Sequence, residues 1–397
     1  MRTLHYHNKA LTLMVSPVVA FGIVWIIQSV AYFTLPINLP HPDTITWGIV
    51  ATGFLSLLTG ALAFGVPNQL VMQSSTIANV NSTRSDRVSW MLLYTSIISS
   101  AIAALFLIAT IERNEIGLLH SLKENILAES VAGNKLTTYF IYLFVYQNLL
   151  TLYYFNCNGF QKNKRTVLVF IAAILSALMS GSRGLLIFFL IALIPCIICK
   201  KHEINFNGKV LGKLFAIIVI FFFVYPFVFQ GMSVEGEDDW LSLRDYISVY
   251  LFSGIAAFND YLQTNDPNYD CLLLAPRPAL RILDALWQTN LASSCPASYE
   301  EKLLPLQTNV YSVFFAPYHD FGLAGVIFYL FVIGFVSQMA FTKGCLQNNN
   351  TWRFFYGILF YSIIFSFFDD QFARGAIYYS IGFTAIIFNR LAGGGVK

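Results

Sequence analysis

WLSLRDYISVYLFSGIAAFNDYL, residues 240–262, is the stretch whose reading decides the fold. Its apolar run, 246–258, is too short for a bilayer crossing, which needs roughly 20 residues, and too apolar to lie free in solvent. It predicts a re-entrant or interfacial helix. The run sits in a long segment, 231–320, that gathers Arg244, Asp245, Asp260, Arg277, Arg281, His319 and Asp320. A second short amphipathic helix is expected in APRPALRILDALWQ (275–288), where Leu280, Leu283 and Leu286 share one face and Arg277 and Arg281, four apart, line another. Most of the chain on either side reads as apolar helix.

Composition sets the class. Of the 397 residues 56% are hydrophobic and 11% charged, against about 25% charged in soluble domains. Lipid offers no hydrogen bonds to the backbone, and long apolar runs without alternation suit helices, so the expectation is an all-α polytopic membrane protein. A net charge of +3 with no long basic run excludes nucleic acid as a partner. Apolar windows predict about ten transmembrane helices, at 11–33, 45–66, 90–111, 136–155, 167–179, 185–199, 210–229, 321–341, 354–368 and 376–388. The first follows a basic head, exceeds a signal-peptide core and has no A-x-A site after it, so it is read as a retained span. The chain then divides into helices one to seven (1–230), a large outward loop (231–320) and helices eight to ten (321–397). The fifth, sixth and ninth windows are short, which argues for a thinned membrane or for helices that lean on protein rather than lipid.

Lys and Arg set the orientation. The short segments NCNGFQKNKR (156–165) and CKKHEINFNGK (199–209) are the clearest cytoplasmic markers, and of the acids only Asp86 and Glu203 fall on that side. Both termini are therefore expected inside and the long loop outside. Cysteine usage agrees: Cys157, Cys196, Cys199 and Cys345 fall at the inner face, where thiols stay reduced, while Cys271 and Cys295 fall in the outer loop. A Cys271–Cys295 bridge would contribute roughly 3 kcal/mol by the chain-entropy estimate; two unbridged thiols are the alternative reading. No Cys/His spacing resembles a zinc site, and no Walker, Rossmann or heme-attachment motif occurs.

Three polar constellations fall on the outer side. In MSGSRGLL (179–186) two glycines place Arg183 at the membrane edge, where a guanidinium fork suits phosphate oxygens or merely snorkels over a tight turn. In PYHDFGLAG (317–325) His319 and Asp320 stand at the expected start of the eighth span, as a general base or, for Asp320, as a helix N-cap. DDQFARG (369–375) adds Asp369, Asp370 and Arg374, which serve equally as a solvated turn. All three lie on one membrane face, so they are able to converge. Charges gathered at one surface rather than within the spans argue against a flippase or secondary transporter.

SGSRG (180–184), LRDYISVYLFSGIAAFNDYL (243–262) and NVYSVFFAPYHDFGLAG (309–325), with the single long outward loop, resemble the oligosaccharide repeat-unit polymerases, the Wzy-type O-antigen polymerases of bacterial envelopes. The resemblance implies a GT-C-like glycosyltransferase in the bacterial inner membrane with its active site facing the periplasm. Such an enzyme joins polyprenyl-diphosphate-linked oligosaccharide donor and acceptor without a metal or other cofactor and releases polyprenyl diphosphate. Its partners would be these lipid-linked substrates, membrane lipids and a chain-length regulator. On this resemblance Asp320 and His319 are the catalytic candidates, and Arg183, Arg244, Arg281 and Arg277 the diphosphate-binding ones. Tyr311, Asp245, Arg374 and Asp369 are secondary candidates. An O-antigen ligase is the nearest alternative within the same chemistry.

Overall fold

The computed structural model describes residues 12–34, 39–65, 89–110, 135–159, 164–180, 183–199, 243–264, 273–276, 280, 283–284, 287–289, 302–304, 306–373 and 375–394. The seventh expected span, 210–229, lies outside them, as do Arg277, Arg281, Arg374, Cys271 and Cys295. Ten α-helices are described: α1 (Pro17–Thr34), α2 (Thr44–Phe64), α3 (Trp90–Thr110), α4 (Lys135–Asn158), α5 (Lys164–Met179), α6 (Arg183–Ile198), α7 (Leu243–Thr264), α8 (Phe315–Phe341), α9 (Asn350–Ile364) and α10 (Ala376–Gly394). Before α8 a small antiparallel hairpin pairs Lys302–Leu304 with Leu306–Thr308, an element that the sequence reading had as loop.

Four helical stretches are long and apolar enough to cross a membrane: Pro17–Thr34, Thr44–Phe64, Trp90–Ala109 and Phe315–Leu346. Apart from the small hairpin the described residues are helical, in keeping with the expected α-helical membrane protein. The expected short fifth, sixth and ninth windows are helices of 16, 16 and 15 residues. The sixth shows why such a length suffices: Leu185 to Leu193 are all buried, so α6 leans on protein all round.

The bundle is held by close helix crossings. On α2 and α8, a Cβ at Gly60 would stand 2.0 Å from the Phe331 carbonyl and one at Gly334 would stand 2.1 Å from that of Leu57. Small residues here let two backbones touch, the packing device of helices in apolar surroundings.

Two expectations about helix limits are corrected. The helix at 246–258 extends to Leu243–Thr264, 22 residues, and beyond the apolar run Asn259 and Tyr261 are still buried. The eighth helix starts at Phe315 rather than at 321, and Phe321 (φ −140°) and Gly322 (φ 60°) form a break inside it. Pro317 is accommodated in the first turn, where a proline gives up no helical hydrogen bond.

At one end of the bundle Cys196, Cys199 and Cys345 gather beside Arg353. Arg353 donates from Nε to Asn156 Oδ1 (2.7 Å), from Nη1 to Asn348 Oδ1 (2.6 Å), and from Nη2 to Asn156 O (3.2 Å) and to Asn350 Oδ1. The opposite end carries His319.

Candidate functional site

The chain before α8 is fixed by backbone bonds to two distant elements. Ser312 N–H donates to Gly254 O on α7 and Val313 N–H to Ser366 O in the 3₁₀ turn Phe365–Phe367, both at 2.9 Å. The 3₁₀ turn is gripped again by Trp25 Nε1–H, which donates to Ser366 Oγ at 3.1 Å. Helix α1 also clamps α7: Gln28 Nε2 donates to Leu251 O (2.7 Å) and Tyr32 OH to Phe252 O (3.0 Å). Gly254 is required where these elements meet, since a Cβ there would lie 2.5 Å from the Phe367 carbonyl and 2.7 Å from that of Phe368.

On this frame stand His319 and Asp320. His319 Nδ1 lies 3.1 Å from Asp320 Oδ1, and its ring sits between Tyr261 and Phe315, with centroids 6.1 and 6.0 Å away. Asp320 also binds the long loop, accepting from Leu274 N–H at 2.9 Å on Oδ1 and from Ala275 N–H at 2.8 Å on Oδ2. The Asp320 side chain is 1% exposed and that of His319 15%, so the imidazole is the member of the pair that solvent reaches. The N-cap reading of Asp320 is corrected: Phe314 occupies the N-cap of α8 and makes no side-chain cap bond, while Asp320 spends its oxygens on a segment about 45 residues away. Tyr311 is buried beneath the pair, stacked on Phe315 at 4.2 Å.

A second acidic centre lies in the turn between α9 and α10. Asp369 accepts from Asp370 N–H (2.9 Å) and Gln371 Nε2 (3.0 Å). Asp370 accepts from Tyr329 OH (2.9 Å), Phe372 N–H (3.1 Å) and Ala373 N–H (3.2 Å). Burial pushes the Asp370 carboxyl up to about 7, against these hydrogen bonds, which lower it. Asp369, not Asp370, carried the sequence expectation. Tyr329 lies in the middle of an apolar run, and no local signal marks it as the partner of a carboxyl 41 residues on.

The expected residues fall into two groups along α7. Arg183 opens α6, whose next turns pack on α10 through Phe188, stacked on Tyr378 at 4.0 Å; that contact lies beside the 369–375 turn. Arg244 and Asp245 lie in the first turn of α7, and Tyr250, farther along the same half, stacks on Phe368 at 6.0 Å. Tyr261, beside His319, is 17 residues beyond Arg244, about 25 Å along a helix that rises about 1.5 Å per residue. Arg244 and the His319–Asp320 pair therefore do not meet at one atom of a substrate. Asp320 holds the N–H of Ala275; Arg277, two positions on in the sequence, lies outside the described residues.

No family model and no solved structure matches the chain. An O-antigen polymerase of Shigella dysenteriae is 29% identical over 216 residues, covering 52% of this chain and 50% of that protein. The chain thus spans half the length of the curated relative that it matches.

Proposed function

We propose that the protein is a polymerase of lipid-linked oligosaccharide repeat units, acting at the periplasmic face of the bacterial inner membrane, with ten spans, a GT-C-like arrangement and both termini in the cytoplasm. The observation that carries the reading is the clasp in which Asp320 orients His319 and at the same time ties down the loop leading to Arg277. With Nδ1–H donated to the Asp320 carboxylate, Nε2 is the basic nitrogen of the imidazole. It takes the proton of an acceptor sugar hydroxyl as the hydroxyl oxygen bonds to the anomeric carbon of the donor. The bond from that carbon to the diphosphate breaks with inversion, and polyprenyl diphosphate leaves with the electron pair. Arg277 and Arg281, close along the chain to the segment that Asp320 holds, offset the charge growing on this leaving group.

The reaction takes two lipid-linked substrates, and each brings its own diphosphate. The acceptor's attacking hydroxyl is separated from its diphosphate by a whole repeat unit. Arg183 and Arg244, with Asp245, Arg374 and Asp369 nearby in the fold or the chain, serve that second diphosphate. The separation of about 25 Å along α7 suits an oligosaccharide lying between the two stations. The partial similarity to an O-antigen polymerase supports the same chemistry.

The test is the surface lipopolysaccharide of a deletion strain complemented with wild type or with His319→Ala. A core bearing one repeat unit, with the ladder restored by wild type alone, is the expected result. Bare core with polymerised chains held on carrier lipid would make the protein a ligase, and bare core with units trapped on the cytoplasmic face would make it a transporter.

A further inference from the structure

The middle of α4 carries a polar layer that the proposed reaction does not use. Gln147, Asn148 and Thr151 are fully buried there, with Thr151 within one turn of both others on the same side of the helix. Trp90 against Tyr154 (5.1 Å) and Phe106 against Phe140 (5.6 Å) lay α3 antiparallel along the stripe 140, 147, 154, the face of Gln147. Tyr154 OH with Thr166 Oγ1 (3.2 Å) and Phe155 with Phe170 (6.0 Å) lay α5 along the adjoining face, that of Asn148. The ring pairs bring Ser100, on the buried face of α3, to the level of the turn that holds Gln147. Ser176 of α5 reaches the same level, within 3.3 Å of Asn148 Nδ2. Polar side chains of three helices therefore share one layer, half-way along the apolar bundle.

Four oxygens of this layer, Ser100 Oγ, Gln147 Oε1, Asn148 Oδ1 and Thr151 Oγ1, are buried with no hydrogen-bond partner among the described residues. Such atoms are rare in native interiors, and hydrocarbon supplies no donors to them. The orphan on Asn148 is an oxygen: its other terminal atom sits 2.9 Å from the Phe144 carbonyl, which only accepts, so the amide nitrogen must face that way. No Asp, Glu, Lys or Arg occurs on α3, on α4 beyond Lys135 or on α5 beyond Arg165. A neutral set made wholly of oxygen gives a divalent ion no carboxylate, but it is the donor set with which carbonyl rings and broken helices take partly dehydrated monovalent cations inside membranes.

We propose that α3 and α4 bind a monovalent cation of the sodium class in the middle of the bundle, through Ser100, Gln147, Asn148 and Thr151. The site is independent of the glycosyl transfer proposed above. The test uses the purified full chain in lipid nanodiscs, with ²²Na⁺ binding and thermal unfolding in sodium chloride against choline chloride at equal ionic strength. Saturable ²²Na⁺ binding displaced by unlabelled sodium is expected, with a sodium-dependent rise in Tm of about 2–4 °C. Thr151→Val and Gln147→Met should each weaken binding at least tenfold. Wild-type protein that binds neither ²²Na⁺ nor ⁸⁶Rb⁺ saturably would overturn the proposal and leave the layer to internal water. Variants that bind as wild type would overturn it as well.

Discussion

The two ends of the bundle bury charge in opposite ways. Arg353 is 1% exposed, and its guanidinium is surrounded by the oxygens of Asn156, Asn348 and Asn350. Neutral acceptors brought in from two separate stretches of chain satisfy it on the spot, and its geometry is that of a structural tie. At the other end Asp320 is as deeply buried but is linked to an imidazole that keeps 15% of its surface exposed. There the buried charge orients a side chain that solvent reaches. A saturated ion closes a structure, whereas an ion bonded to a partly exposed base prepares one for chemistry.

Breaking the first end should have the largest effect on the protein itself. Arg353→Met strands the Asn156, Asn348 and Asn350 oxygens in a buried site, and the loss of a buried, hydrogen-bonded charge costs about 3–5 kcal/mol. Protein recovered in the membrane fraction should fall severalfold, and a variant with normal level and Tm would remove the structural assignment. His319→Ala should leave level and Tm nearly unchanged while lowering the polymerisation rate about 10²–10⁴-fold, the range for a positioned acid–base group. Loss of protein in that variant would make the two ends alike.

Asp320→Asn falls between these. It keeps an acceptor for one of the two loop N–H groups and turns the other to face an amide, which costs about 1–3 kcal/mol. It also weakens the hold on His319, so both Tm and rate should drop, the rate by less than in His319→Ala.

The Asp370 carboxyl offers a smaller test, by pH. Its folded value, about 7, is raised from the ordinary 3.8, so the folded protein keeps a proton that the unfolded chain has released. The stability it contributes is complete below the unfolded value and is lost as pH rises through about 7. Wild type in detergent should lose Tm over that window, and Asp370→Asn should flatten the loss. An unchanged slope would remove Asp370 as its source.

The sequence by itself determined the class and most of the helices, because a bilayer solvent demands long apolar runs and those are local. It also singled out the stretches SGSRG, HDFG and DDQFARG, since charge is scarce enough in this chain to stand out. Tertiary structure alone decided what these residues are bonded to. The bonds from Asp320 to Leu274 and Ala275 and from Tyr329 to Asp370 join residues more than 40 positions apart. Neither spacing nor hydropathy encodes such pairs, and the same holds for the true start of α8, which rests on the burial of Phe314, Phe315 and Ala316. Apolar periodicity reports how much of a segment leaves water; where a hydrogen bond finds its partner depends on helices that the chain brings together only when it packs.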